Sequence, residues 1–232
     1  KREVDTILML LTMSIVSTDY QTTWRGSRGR NIAAVLADEA GMPVCWARNT
    51  NLVTGDLTQH AELRTLSRFF THTDVSDLHR FTLYSTLEPC AMCAGATAIV
   101  DLGLVVYAEV PFSSGGAFAR LGRDSHAEGG PCPYYSVPTS GRWHHPLNDR
   151  LAAESRAYPN PPEWEHAEER RLIFVEARTT LAALTVEHPE NQAVLDAARR
   201  FAALVPEHDP VVDTGAACPP PGWSPRSGPV NP

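Results

Sequence analysis

The 232-residue chain has no uninterrupted apolar run of about 18 residues, so no part of it is expected to cross a bilayer as a helix. It has no basic surplus: 20 Lys and Arg stand against 27 Asp and Glu, a net charge of −7. Nucleic-acid binders draw much of their affinity from phosphate neutralisation, so this balance disfavours a large RNA or DNA partner, though it leaves room for a local basic patch. The five cysteines are odd in number, and their spacing draws no disulfide framework. No internal repeat is visible beyond a doubled His-Ala-Glu triplet. The opening stretch "KREVDTILMLLTMSIV" does not read as a secretory leader, because Glu3 and Asp5 interrupt its basic flank and no small-residue cleavage site comes after it. With no leader, the expected compartment is the reducing cytosol, where closely spaced cysteines point to metal or catalysis.

What is present is ordinary globular material, 43% apolar and 20% charged, enough for one domain with extensions. Val4, Leu8, Leu11 and Ile15 recur at helical spacing and predict an amphipathic helix over 3–17. A loop, "TTWRGSRGR" (22–30), leads to a strand at 31–38, a turn, and a returning strand at 43–49. Leu63, Leu66 and Phe70 predict a helix from His60 to Phe70. Residues 81–87 read as a strand, 89–100 as a helix opened by Pro89, and 102–110 as a strand. This α-β-β-α-β-α-β order favours a layered α/β sheet. Residues 111–162 read mostly as loop or insertion, with a short helix near "GGAFARLG". Residues 163–184 look helical, with an edge strand as the alternative for "LIFVEA" (172–177), and Val194, Ala198, Phe201 and Val205 mark another helix. Eight prolines in 206–232 predict an extended or disordered tail.

The two triplets differ in their downstream neighbours. His60-Ala61-Glu62 opens a predicted helix, and 30 positions after His60 "PCAMC" (89–93) opens another. Cys90 and Cys93, three apart in a first helical turn, can turn both sulfurs to one point, where the helix N-terminus favours thiolate. One His and two Cys supply three protein ligands to Zn²⁺ and leave a fourth position for water, the arrangement of a catalytic zinc. Glu62 is then available to handle protons rather than to ligate. This H-x-E … P-C-x-x-C pattern is the zinc deaminase signature. By average residue usage it arises by chance in on the order of one chain in a thousand of this length. The alternative is a closed structural zinc site, with Cys45 or Cys132 as a fourth ligand.

"HAELRTL" and "LYSTLEPCAMCAGA" resemble the cytidine deaminase-like superfamily, closest to the branch of tRNA adenosine, guanine and fungal-type cytosine deaminases. The resemblance covers residues 3–110 and implies a three-layer α/β/α sheet, here with additional C-terminal helices. It implies one Zn²⁺ per chain held by His60, Cys90 and Cys93, with Glu62 as proton shuttle. It also implies substrate contacts from Asn49, Ala61, Glu88 and Pro89, and a homodimer. The expected organisation is a deaminase domain at 1–162 (core 3–110, divergent segment 111–162), a helical extension at 163–205 and the Pro-rich tail at 206–232. The expected function is hydrolytic removal of the amino group from a nucleobase, nucleoside or nucleotide, with ammonia released in the cytoplasm. A tRNA adenosine deaminase is the alternative that the acidic balance disfavours. A non-catalytic zinc-binding subunit is the alternative from another class, and a secreted toxin domain is also conceivable.

Several other residues admit a functional reading beside a plainer one. His126-Ala127-Glu128 has Tyr135 where a second Cys would be needed, and reads as a polar loop. Arg25, Arg28 and Arg30 read as a solvated loop, with a phosphate grip as the functional reading. His144 and His145 beside Trp143 read as a surface pair, and Trp24 and Phe112 as packing residues that could stack on a heterocycle.

Overall fold

In a computed structural model of the protein, five strands form one sheet with helices on both faces. The structure describes residues 1–111, 115–130, 136–157 and 167–208, together with 218, 220 and 222–224 of the tail. Helix α1 (Arg2–Thr18) precedes the hairpin of β1 (Ala33–Ala37) and β2 (Pro43–Arg48). The hairpin turns because Asp38 Oδ1 accepts the amides of Ala40 and Met42, at 2.9 Å each, and Gly41 takes φ +76°, which a Cβ would disfavour. Then come one turn of helix, α2 (Asn51–Thr54), and α3 (Ala61–Thr71), β3 (Thr82–Leu87), α4 (Ala91–Ile99) and β4 (Leu104–Glu109). Apart from α2, this is the predicted order.

The strands lie in the order β2-β1-β3-β4-β5, with β5 at Thr139–Arg142. β1 runs antiparallel to both neighbours, whereas β3, β4 and β5 are parallel. Parallel pairing requires a crossover. α4 supplies one between β3 and β4, and α5 (Ala117–Leu121) stands in the β4–β5 connection, at the place predicted for a short helix. After β5 come α6 (Pro146–Ala157), α7 (Glu168–Ala183) and α8 (Gln192–Leu204). One apolar cluster joins α1, α6, α7 and α8 to one face of the sheet, through residues such as Ile7, Leu11, Leu151, Phe174 and Phe201. A second joins α3, α4 and α5 to the other, through Leu66, Phe69, Ala94 and Phe118. The architecture is therefore the expected three-layer α/β/α sheet with additional C-terminal helices.

Three expectations are corrected. α1 is not amphipathic: Ile7 through Val16 are all buried, because the sheet takes one side of the helix and α7 and α8 pack on others. Residues 172–177, read as helical with an edge strand as the alternative, are helical within α7. The segment read as loop holds β5 and α6. β5, "TSGR", has no apolar alternation and exists through its pairing with β4, from Leu104 opposite Thr139 to Tyr107 opposite Arg142. Finally, Cys45 and Cys218 are joined in a disulfide where none was expected. Most of the predicted Pro-rich tail lies outside the described residues. Among the described tail residues, Trp223 donates from Nε1 to Asp38 Oδ2 at 3.1 Å and meets Phe69 edge to face. No helix among the described residues is long and apolar enough to cross a membrane.

Candidate active site

Two helices begin at the same point in space. His60 caps α3 in an extended conformation (φ −75°, ψ 151°), and Cys90 caps α4 likewise (φ −66°, ψ 173°). His60 does not spend its side chain on its own helix, and each cap lends its carbonyl, to the amides of Arg64 and Ala94 respectively. The two side chains meet each other. Cys90 Sγ and Cys93 Sγ each lie 3.6 Å from His60 Nδ1, and 3.7 Å from one another. This is the group of His and Cys donors that could hold a metal among the described residues.

The spacing can be tested against the cation. Zinc with tetrahedral angles, Zn–S of about 2.3 Å and Zn–N of about 2.0 Å places two sulfurs about 3.8 Å apart and sulfur and nitrogen about 3.5 Å apart. The donor triangle fits. Its electrostatics fit as well. The Cys93 thiol bonds to Cys90 and, with His60 and the Cys93 amide, holds the Cys90 thiol far below its ordinary value, down to about 3. The same contact, and burial, push the Cys93 thiol strongly up. Left alone, the pair shares one proton, whereas a divalent cation allows both sulfurs to ionise. The bond to Cys90 raises the His60 imidazole, against the effect of burial.

Glu62 lies in the first turn of α3, 4% exposed, with Oε2 3.7 Å from Cys93 Sγ. Ser85, on β3, donates from Oγ to Glu62 Oε1 at 3.2 Å. Burial raises the carboxyl of Glu62 above the usual range, which favours its holding a proton. Ser85 escaped the sequence reading: a serine inside a strand carries no local signal of a contact with a glutamate 23 residues away.

Asn49 is 1% exposed at the end of β2. Its neighbour Thr50 donates its amide to Gln59 O at 3.0 Å, which puts Asn49 beside the segment entering His60. Its Oδ1 accepts the Asn51 amide at 3.2 Å, and its buried Nδ2 has no partner among the described residues. Ala61, fully buried, is the first residue of α3. Pro89 is buried between β3 and Cys90. Glu88 is buried too, and its Oε1 accepts the Gly116 amide at 2.7 Å, pinning the start of α5 to the end of β3.

The remaining candidates separate. Arg28, expected in solvent, is 7% exposed. Arg25 is exposed and Arg30 half-buried. His145 stacks on Trp143 with centroids 4.3 Å apart, while His144 is exposed. His126–Glu128 is an exposed 3₁₀ turn. Cys45, in its disulfide, is no fourth ligand, and Phe112, Cys132 and Tyr135 lie outside the described residues. A cleft lined by Lys1, Asp5, Asp38, Arg80 and Tyr84 opens beside the first residue of β4, at the other end of the strands, and none of the motif residues lines it.

Residues 10–109 match the model of the cytidine and deoxycytidylate deaminase zinc-binding region. The chain is 34% identical over 90 residues to a tRNA-specific adenosine deaminase of Haemophilus influenzae, covering 39% of this chain and 52% of that protein. It is 44% identical over 62 residues to a probable cytosine deaminase of Schizosaccharomyces pombe, covering 27% and 36% respectively. The chain thus spans about half, or less, of the curated relatives it matches. A solved guanine deaminase from Bacillus subtilis aligns at 23% identity with a TM-score of 0.36, over 59% of this chain and 86% of that one.

Proposed function

We propose that this chain, whose residues 10–109 match the cytidine and deoxycytidylate deaminase zinc-binding region, is a zinc-dependent hydrolase that removes an amino group from a nucleobase, nucleoside or nucleotide. The observation that carries the reading is the His60–Cys90–Cys93 triangle at tetrahedral zinc spacing, with a buried carboxyl beside it. Those three residues would hold the ion. Zinc, when bound, supplies Lewis acidity that makes a water nucleophilic near neutral pH. Glu62 takes a proton from the attacking water and delivers it to the ring nitrogen next to the amino-bearing carbon. It then helps the amino group leave as ammonia, so that water and amine become carbonyl and ammonia. Ser85 holds Glu62 in place for both transfers. The Nδ2 of Asn49, without a partner among the described residues, supports a donor role towards the substrate ring, and Ala61, at an amide-rich helix start, supports a contact with its edge. Glu88 and Pro89 complete the substrate wall in this reading.

The preferred substrate is a small molecule, because the chain is acidic. The local identity to a tRNA-specific adenosine deaminase favours the second reading, a flipped-out adenosine in a tRNA loop. We assign 1–162 to the deaminase domain, 163–205 to a helical extension and 206–232 to a tail. We place the protein in the cytoplasm as a homodimer. Met92, Gly95, Ala96 and Ile99 lie on one face of α4, with Met92 and Ile99 exposed, and support that pairing.

The test is ammonia release by zinc-loaded protein from guanine, cytosine, adenine, their nucleosides and nucleotides, and an adenosine-bearing anticodon stem-loop. Release from one small molecule, lost by at least about a thousandfold in Glu62→Gln with zinc retained, is the expected result. Release from the stem-loop alone would make the second reading right. Zinc bound in full with silence on every compound would leave the non-catalytic subunit.

A further inference from the structure

The loop read as solvated arginines is instead tied into a closed polar lattice. Arg28 donates from Nε to Asp19 Oδ2 at 2.9 Å and from Nη2 to Asp19 O at 3.2 Å, while its Nη1 donates to the main-chain carbonyl of Asn49. Gln21 closes the other side, donating to Asp19 O and Oδ1 at 3.1 and 3.0 Å and accepting the Arg28 amide at 3.0 Å. The carbonyl of Arg28 accepts the amides of Leu52 and Val53, at 3.2 and 3.1 Å, in the first turn of α2. One residue therefore grips the segment 49–53 at both ends, with its guanidinium on Asn49 and its own carbonyl on α2.

A buried guanidinium is costly unless it is paired and fully hydrogen-bonded. Asp19, on the other side of the loop, meets that need with two of the three nitrogens. The third goes to the residue whose side-chain Nδ2 is buried and has no partner among the described residues. We propose that Arg28, anchored by Asp19, is a positioning residue for Asn49: it holds the Asn49 main chain so that the side-chain amide is presented in one orientation to the substrate. This rests on the deaminase reading for what Asn49 meets, but the positioning itself does not.

The test uses the full chain, zinc-loaded, as Arg28→Met, Arg28→Lys, Asp19→Asn, Asn49→Ala and the Arg28→Met/Asn49→Ala pair. The first readout needs no activity. In protein labelled with ¹⁵N at asparagine, the Asn49 side-chain amide signals are identified by their loss in Asn49→Ala. Arg28→Met is expected to move them to the shift and narrow width of a freely rotating amide, and Arg28→Lys to move them less. The signals of Asn148, buried elsewhere and bonded to Trp143 O at 2.5 Å, stay in place. The second readout is kcat/KM on the compound the wild type deaminates. Arg28→Met is expected to lose about tenfold alone, mainly through KM, and less than about twofold in the Asn49→Ala background. A residue that only cements the loop would cost the same in both backgrounds. Unmoved Asn49 signals, or equal losses in the two backgrounds, overturn the proposal. If Arg28→Met does not fold, Asp19→Asn carries both readouts. Moved signals in a protein that releases no ammonia from any compound would leave the positioning standing and sink the deaminase reading.

Discussion

Gly29 is where the lattice around Arg28 touches the side chain it serves. A Cβ on Gly29 would stand 2.2 Å from Asn49 Oδ1, 2.7 Å from Asn51 Oδ1 and 3.1 Å from the Asn49 carbonyl. The carbonyl is fastened by Arg28, so the side-chain amides must give way. Gly29→Ala is expected to swing the Asn49 amide and to lower kcat/KM by about 10- to 100-fold, the loss that a misplacement near 1 Å brings. Zinc stoichiometry should stay at that of the wild type. Steady-state kinetics with metal analysis check both, and an unchanged kcat/KM would place the Asn49 amide outside the reaction. The same residues show what the sequence makes legible. His60, Glu62, Cys90 and Cys93 stand out because their chemistry lies in short spacings at two helix starts. Arg28 and Ser85 do not, because their partners lie 21 and 23 residues away and neither residue type is unusual in a loop or a strand.

At the scale of elements, the last residue of β4 organises the C-terminal helices. Glu109 and Arg170 form an ion pair, 3% and 5% exposed, between β4 and the first turn of α7. Ser155 of α6 donates to the same carboxylate, and the guanidinium lies 5.7 Å from the centre of the Phe174 ring. The main chain of Glu109 also accepts the Glu88 amide, at 2.7 Å, so α6 and α7 are braced against the strand ends that carry Cys90. Arg170→Met leaves a buried carboxylate uncompensated and is expected to cost about 3–5 kcal/mol. The double change with Glu109→Leu is expected to recover most of it, since a buried pair and its apolar replacement are often nearly equivalent. Urea midpoints measure the cycle, and a double variant that costs the sum of the two single variants would show that the two charges do not depend on each other. None of this bracing was legible. The layered core before residue 110 announced itself through apolar periodicity, whereas β5 and α6 are polar or irregular segments whose structure comes from tertiary partners.

Over the whole molecule, the largest departure from expectation is the Cys45–Cys218 pair. It ties the middle of β2 to the tail across 173 residues of chain, and the Trp223 contacts with Phe69 and Asp38 lie a few residues further on. Closing so long a loop removes much of the freedom of the unfolded chain, and such links are typically worth about 2–4 kcal/mol. For a chain of this size that corresponds to roughly 4–16 °C in Tm. A disulfide of this kind persists in an oxidising compartment, whereas the cytoplasm proposed above is a reducing one. Thiol counting on denatured, metal-stripped protein decides between them, because Cys90 and Cys93 are free thiols and the linked pair is not. With the link in place, two more cysteines become alkylated after reduction than before, and a phosphine reductant lowers Tm by the amount above. If reductant changes neither, the two sulfurs are thiols in the protein as purified. The tail is then held by non-covalent contacts, among them those of Trp223 and the bond from Arg48 Nη2 to Pro206 O at 3.1 Å, and the reducing compartment proposed above agrees with the chemistry of its cysteines.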